Sequence, residues 1–243
     1  MTANTKKVIL FIVDGPTDED ALSPVMKKLF ECEEIRFHVI HGDLTSDWLL
    51  DSTNAVKTVK EHIEYEMNRY GFKRSDLQRV IHLVDTDGAF IPDGCVVLGD
   101  AVKPRYEEER IVTKTPECII DRNARKAQVL RRLYPAGTIW SIPYAVYYFS
   151  RNMEHVLHDI GRELTADEKM DCADRFADAY AGNRQAFVTF LSGSEFTVPG
   201  GYGESWRFIS EGTHSLHRHC NLQLLFEARK EQCDRRKTLY PKK

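Results

Sequence analysis

The sequence lacks several features that would mark other classes of protein. A membrane-spanning helix needs roughly 20 consecutive apolar residues, and no apolar run of the sequence approaches that length. The first apolar run, residues 8–13, ends at Asp14, so neither a membrane span nor a signal peptide is expected. The six cysteines are scattered without a Cys-x-x-Cys pair, which argues against a zinc module or a disulfide framework and favours a cytoplasmic location. A net charge of −3 argues against binding nucleic acid by bulk charge.

The remaining composition is that of an ordinary globular protein. With 243 residues and 42% hydrophobic side chains, the chain can form one large domain, or one domain with an appendage. Strands are predicted at residues 8–13, 37–40, 79–84 and 138–149, with helices at 18–30, 53–70 and 122–134. This alternation predicts an α/β domain over residues 1–150 whose parallel sheet is flanked by helices.

The rest of the chain has a different pattern. Residues 88–120 are predicted to be irregular, and a segment of this length is expected to be functional or to contain an extra strand such as 110–112. After residue 150, helices are expected at 152–160, 165–181, 183–192 and 203–217. These helices are too few and too short to build a large core alone. Residues 151–243 are therefore predicted to be a helical extension that packs on the sheet domain.

Acidic residues follow two of the predicted strands. Asp14 and Asp18 come after residues 8–13, and Asp85 and Asp87 come after residues 79–84. Ligands of parallel sheets bind beyond the carboxyl ends of the strands, so these acids should converge if the two strands are neighbours. Close carboxylates repel one another, and a divalent cation with a preference for oxygen, such as Mg²⁺, relieves that repulsion.

The sequence resembles the Toprim domain in two motifs. The segment Val13-Asp14-Gly15-Pro16-Thr17-Asp18-Glu19-Asp20-Ala21-Leu22 matches the first, and Val84-Asp85-Thr86-Asp87 matches the second. The resemblance implies that Asp85 and Asp87 bind Mg²⁺ or Mn²⁺, that Asp18 supports the metal, and that Asp14 coordinates it or moves protons. The family normally has glutamate at position 14, so the carboxylate of Asp14 has a shorter reach.

The function implied by this resemblance is a metal-dependent nuclease that cleaves RNA or DNA. Zinc-ribbon cysteines, as in primases, are missing, and the chain is too short for the strand-passage domains of a topoisomerase. It also has no Walker A motif, so any ATPase partner would be a separate protein. Small stand-alone Toprim nucleases, including the overcoming-lysogenization-defect type, suggest a setting in phage defence or RNA processing.

Further candidate residues come from the second half of the chain. Glu154 follows the last predicted strand and is a third catalytic candidate beside Asp14 and Asp18, although it also suits the first turn of a helix. His214 and His217 form an i,i+3 pair on a predicted helix, which favours a helix surface or a phosphate contact over a metal site. The basic helix at 122–132 and the tail at 229–243 are the local positive segments available to contact nucleic acid.

Two alternative functions stay open at this point. The acidic residues can belong to a non-catalytic module that binds a partner protein or a nucleic acid. Alternatively, Asp85-Thr86-Asp87-Gly88 fits the nucleophile loop of haloacid-dehalogenase-type phosphatases, in which Asp85 would form an aspartyl-phosphate. That loop normally follows the first strand of its fold, whereas here it follows about the third, so the Toprim interpretation ranks higher.

Overall fold

The centre of the protein is a five-stranded sheet with the order β2-β1-β3-β8-β7. A computed structural model describes residues 7–193 and 196–227. The strands of this sheet are β1 (Val8–Val13), β2 (Glu34–Val39), β3 (Leu77–Asp85), β7 (Thr138–Ile139) and β8 (Ile142–Phe149). The first three and β8 are parallel, while β7 pairs antiparallel with β8. The predicted α/β fold with a mostly parallel sheet is confirmed.

Helices cover both faces of the sheet. They are α1 (Pro16–Leu29), α2 (Ala55–Tyr70), α3 (Pro116–Leu133), α4 (Met153–His158), α5 (Ala166–Tyr180), α6 (Arg184–Ser192) and α7 (Tyr202–Ile209). One hydrophobic cluster joins one sheet face to α1, α4, α5 and α6, and a second joins the other face to α2, α3 and α7. Within the two described ranges, no helix has the length and apolarity needed to cross a membrane.

Strand β1 lies between these two clusters, and all six of its residues are buried. Ile9 and Phe11 belong to one cluster, and Leu10 and Ile12 belong to the other. Because successive side chains of a strand point to opposite faces, burial on both faces requires a continuous apolar run rather than an alternating one. The composition of this segment therefore specifies a central strand.

The segment at 88–120 is more ordered than its sequence predicts. It contains β4 (Val96–Leu98), β5 (Arg105–Tyr106) and β6 (Ile111–Thr113), which form a small sheet with the order β4-β6-β5. The suggested strand at 110–112 overlaps β6, whereas β4 and β5 were not predicted, because strands of two or three residues carry no usable periodicity. Helix α3 also begins earlier than predicted, at Pro116, a residue that suits the first turn of a helix.

Two predicted elements are interrupted by left-handed backbone. The expected strand at 138–149 turns at Trp140 and Ser141, whose φ angles are 52° and 62°, and two residues with positive φ make the tight hairpin between β7 and β8. The expected helix at 203–217 ends at Ile209, before Gly212 with its φ of 53°. His214 lies in a separate 3-10 turn, so the prediction that His214 and His217 share a helix face was wrong.

Residues beyond 150 share the core of the sheet. Phe176 and Phe187 lie in the same buried cluster as Phe11 of β1. On the opposite face, the fully buried Trp206 stacks on Tyr134 with a ring-centroid distance of 4.7 Å. A division of the chain at residue 150 therefore separates elements that depend on one another for burial.

Candidate functional site

The acidic residues meet at the carboxyl edge of the central sheet. Strands β1 and β3 are adjacent and parallel, as predicted, so Asp14 after β1 and Asp85 at the end of β3 emerge at the same edge. A cavity of about 390 Å³ opens there. Its charged lining residues are Asp14, Asp18, Asp43, Asp85, Glu154 and Lys169. The structure therefore brings together Asp14, Asp18, Asp85 and Glu154, four of the five predicted site residues.

The turn after β1 positions Asp18. Helix α1 begins at Pro16, and the backbone N–H of Gly15 donates a hydrogen bond of 2.9 Å to Oδ2 of Asp18. A carboxylate at this position satisfies a free N–H group and interacts favourably with the helix dipole. Asp18 thus has a structural role in the first turn of α1 and also lines the cavity.

Asp14 has an unusual environment for a carboxylate. Both of its carboxylate oxygens are buried, and neither accepts a hydrogen bond from the described residues. Burial raises the pKa of Asp14 well above its usual value, and Asp43 raises it further, while Lys126 acts in the opposite direction. A buried charge without a partner is costly, so this carboxylate either binds a proton or requires a cation.

Asp85 and Asp18 experience similar effects. Burial raises the pKa of Asp85 well above its usual value, and the neighbouring Asp18, Asp87, Asp14 and Glu154 add to the shift. Burial also raises the pKa of Asp18 to about 6, against the lowering effect of the Gly15 hydrogen bond. These groups repel one another across the cavity, as carboxylates in a cation site do before the cation binds.

Asp87 is held away from the cavity by Lys126. The Nζ atom of Lys126 lies 2.5 Å from Oδ2 of Asp87 and 2.6 Å from Oδ2 of Asp43. Asp87 does not belong to the lining of the cavity, and its φ of 49° lies in the left-handed region. Arg122 stabilises this turn, since its guanidinium donates to the carbonyl oxygen of Asp87 at 2.9 Å.

The sequence-based prediction missed Asp43 and misplaced Lys126. Lys126 was expected on a basic surface of the helix at 122–132, but its side chain is fully buried. The signal was present in the sequence, because Lys126 shares a helical stripe with Ile119, Ala127 and Leu130, all of which are buried. Asp43 lies in the loop that follows β2, four residues after Val39, and β2 lies next to β1 in the sheet.

Glu154 is buried at the cavity and pairs with Lys169. The distance from Nζ of Lys169 to Oε1 of Glu154 is 3.0 Å, and the glutamate is only 5% exposed. Asn152 caps α4 by accepting a hydrogen bond of 2.8 Å from the N–H of His155. Asn152 therefore has the capping role in α4, while Glu154 lines the cavity.

The other basic and histidine candidates lie elsewhere. His214 donates from Nδ1 to the carbonyl oxygen of Phe208 at 2.7 Å and stacks on that ring, so it has a packing role. Arg131 and Arg132 are exposed on α3, whereas Arg122 and Lys126 point into the protein. The predicted basic tail at 229–243 lies outside the described residues.

Neither a preformed metal centre within the described residues nor a related protein identifies the site. Across residues 7–193 and 196–227, no three or more histidine, cysteine, aspartate or glutamate side chains are already gathered as a metal-ligand group. No protein-family model matches the chain, and no curated protein or solved structure is significantly similar to it. Fold and site define an α/β protein with a buried acidic cavity at the carboxyl edge of a mostly parallel sheet.

Proposed function

We propose that the protein is a Mg²⁺- or Mn²⁺-dependent nuclease with a Toprim-like acidic site that cleaves phosphodiester bonds of RNA or DNA. One observation carries this proposal. The carboxylate of Asp14 is buried without a hydrogen-bond partner among the described residues, and it lines one cavity together with Asp18, Asp85 and Glu154. Proteins rarely retain such an arrangement unless a ligand compensates for the charge.

The donor set suits a hard divalent cation. The candidate ligands in the cavity are carboxylate oxygens, which Mg²⁺ and Mn²⁺ prefer, whereas the soft thiolate ligands of other metals do not line it. Asp14 and Asp85 would hold the cation, with Asp18 and Glu154 beside them. When bound, such a cation supplies activation of a nucleophile and stabilisation of the leaving oxygen of a phosphodiester.

The protein's own side chains would contribute proton transfer and positive charge. Burial raises the pKa of Asp18 to about 6 in the metal-free protein, so this carboxyl group is a candidate general acid or base. Lys169 lines the cavity, is 40% exposed and pairs with Glu154, so it would bring positive charge near the phosphate of a bound polynucleotide.

The wider setting follows by analogy with small Toprim nucleases. A nucleic acid is the proposed substrate, a separate ATPase protein is the proposed partner, and phage defence or RNA processing in the cytoplasm is the proposed context. These assignments depend on the Toprim resemblance of the two acidic motifs and are wrong if that resemblance is wrong.

A non-catalytic binding module is the alternative supported by a specific observation. Lys126 already neutralises part of the acidic cluster through its ion pairs with Asp43 and Asp87, so part of the cluster is stable without a metal. The phosphatase alternative is weaker, because it requires Asp87 as the general acid and base. That carboxylate is engaged with Lys126 and lies outside the cavity lining.

A nuclease assay with a stability measurement separates these functions. Wild type is incubated with mixed RNA and DNA in Mg²⁺, Mn²⁺ or EDTA, and its melting temperature is measured under the same conditions. We expect metal-dependent cleavage and a higher melting temperature in millimolar Mg²⁺ or Mn²⁺, because a ligand that binds only the native state stabilises it.

The variants identify the site. Asp85→Ala should abolish both the cleavage and the metal-dependent stabilisation, whereas Asp171→Ala, which changes an exposed aspartate on α5, should change neither. Wild type that shows no cleavage and no metal-dependent stabilisation would favour the binding module. Hydrolysis of a phosphate monoester, with no cleavage of a polynucleotide, would favour the phosphatase.

A further inference from the structure

Lys126 is a fully buried lysine in the middle of an acidic cluster. Its ammonium group contacts Oδ2 of Asp43 at 2.6 Å and Oδ2 of Asp87 at 2.5 Å. Lysine is almost never fully buried unless it is paired. The positive charge of Lys126 is therefore a fixed part of the structure rather than a surface charge that a substrate could recruit.

The two partners of Lys126 come from different loops at the sheet edge. Asp43 follows β2 and Asp87 follows β3, and β1 lies between these two strands. Lys126 thus joins the loops on both sides of the strand that ends at Asp14. Its charge is also close enough to lower the pKa of Asp14, against the larger effects of burial and of Asp43.

A divalent cation commonly bridges two carboxylates. Here the ammonium group fills that role, and the other oxygen of Asp43 accepts hydrogen bonds from Thr45 and Ser46. Burial on its own would lower the pKa of Lys126, but Asp87, Asp43 and Asp14 raise it above the usual value. The ammonium group of Lys126 lies within hydrogen-bond distance of two carboxylates.

We propose that Lys126 is a resident cation that occupies the position of a divalent metal between Asp43 and Asp87, and leaves Asp14, Asp18, Asp85 and Glu154 as the cavity carboxylates that form no ion pair with it. The assignment of a metal to that cavity rests on the proposed nuclease function. The assignment of Lys126 as the substitute for a second cation rests on its own contacts. Sequence motifs alone place Asp87 among the metal ligands, so this inference changes the expected ligand set.

The test compares the number of Mn²⁺ ions bound by wild type and by Lys126→Met. The number is obtained from a titration in which electron paramagnetic resonance measures the free Mn²⁺. Methionine has a similar length and no charge. We expect Lys126→Met to bind one more Mn²⁺ per chain than wild type. In EDTA its melting temperature should fall by several degrees, because two partly buried carboxylates lose their counter-charge, and Mn²⁺ should restore most of that loss.

Lys57→Met is the matched control, since Lys57 forms an exposed ion pair with Glu61 on α2. It removes the same charge but should not add a bound Mn²⁺. A Lys126→Met protein that binds no additional Mn²⁺, or whose lost stability is the same in EDTA and in Mn²⁺, would overturn the inference. An additional Mn²⁺ bound by Lys57→Met would also overturn the inference.

A second variant covers the case in which Lys126→Met folds poorly. Lys126→Met/Asp87→Asn removes one charge of each sign, so it should fold in EDTA and bind no Mn²⁺ beyond the wild-type number. An additional ion in this variant would show that Asp87 is not a partner of the resident cation and would overturn the proposal. Wild type that binds no Mn²⁺ and cleaves no nucleic acid would refute the nuclease function, while the difference between wild type and Lys126→Met still decides the role of Lys126.

Discussion

Asp18→Asn should make the protein more stable at alkaline pH in the absence of metal. The substitution removes a buried negative charge but keeps an oxygen that can accept the hydrogen bond from the N–H of Gly15. Burial raises the pKa of Asp18 from 3.8 to about 6. The folded state therefore binds this proton more tightly than the unfolded state does.

The direction of the pH effect follows from this difference. A carboxyl group whose pKa is raised by folding contributes stability at low pH, and that contribution is lost as the pH rises through the folded value. For 3.8 and about 6, the advantage of Asp18→Asn over wild type is about 1 kcal/mol at pH 4.5 and about 3 kcal/mol at pH 8. The larger value is an upper bound, because Glu154 contributes to the shift and can change its own charge.

Urea unfolding at pH 4.5 and pH 8 in EDTA measures this advantage directly. Asp20→Asn is the control, because Asp20 is exposed on the same helix, and its free energy of unfolding should change by no more than about 0.5 kcal/mol. In saturating Mg²⁺ the advantage of Asp18→Asn should shrink, since a bound cation compensates the charge. An advantage that is equal at both pH values, or an Asp18→Asn protein less stable than wild type at pH 8, would refute the reasoning.

Two further predictions concern Asp14 and the helices after the sheet. Asp14→Asn should abolish nuclease activity, a loss on the order of several kcal/mol of transition-state stabilisation, while Asp14→Glu should retain or raise it; equal activity of Asp14→Asn and wild type would remove this acid from the site. A fragment of residues 1–150 should be insoluble or unfolded in circular dichroism, because it lacks the partners of the α1 and β1 face, including Phe176 and Phe187; a stable monomeric fragment that binds metal would contradict this.

Several elements could be predicted because local sequence determines them. The run at residues 8–13 is apolar throughout, so it specified a strand buried on both faces, and the acids after it and after β3 specified where a charged site would lie. Helix α2 ends at Gly71, whose φ of 70° suits the left-handed conformation that glycine adopts readily. Each of these signals is contained within a few consecutive residues.

Tertiary structure decides which residues belong to the site. The strand order β2-β1-β3-β8 brings Asp43 to the same edge as Asp14, and no short-range pattern in the sequence states that order. Similarly, the sequence shows Lys126 only as one of several basic residues on a helix. In the structure, the packing of α3 places its side chain between Asp43 and Asp87. The amino-acid sequence determines which residues carry charge. The free energy of burying a charge depends on neighbours that are distant in the chain, and only the folded structure brings those neighbours together.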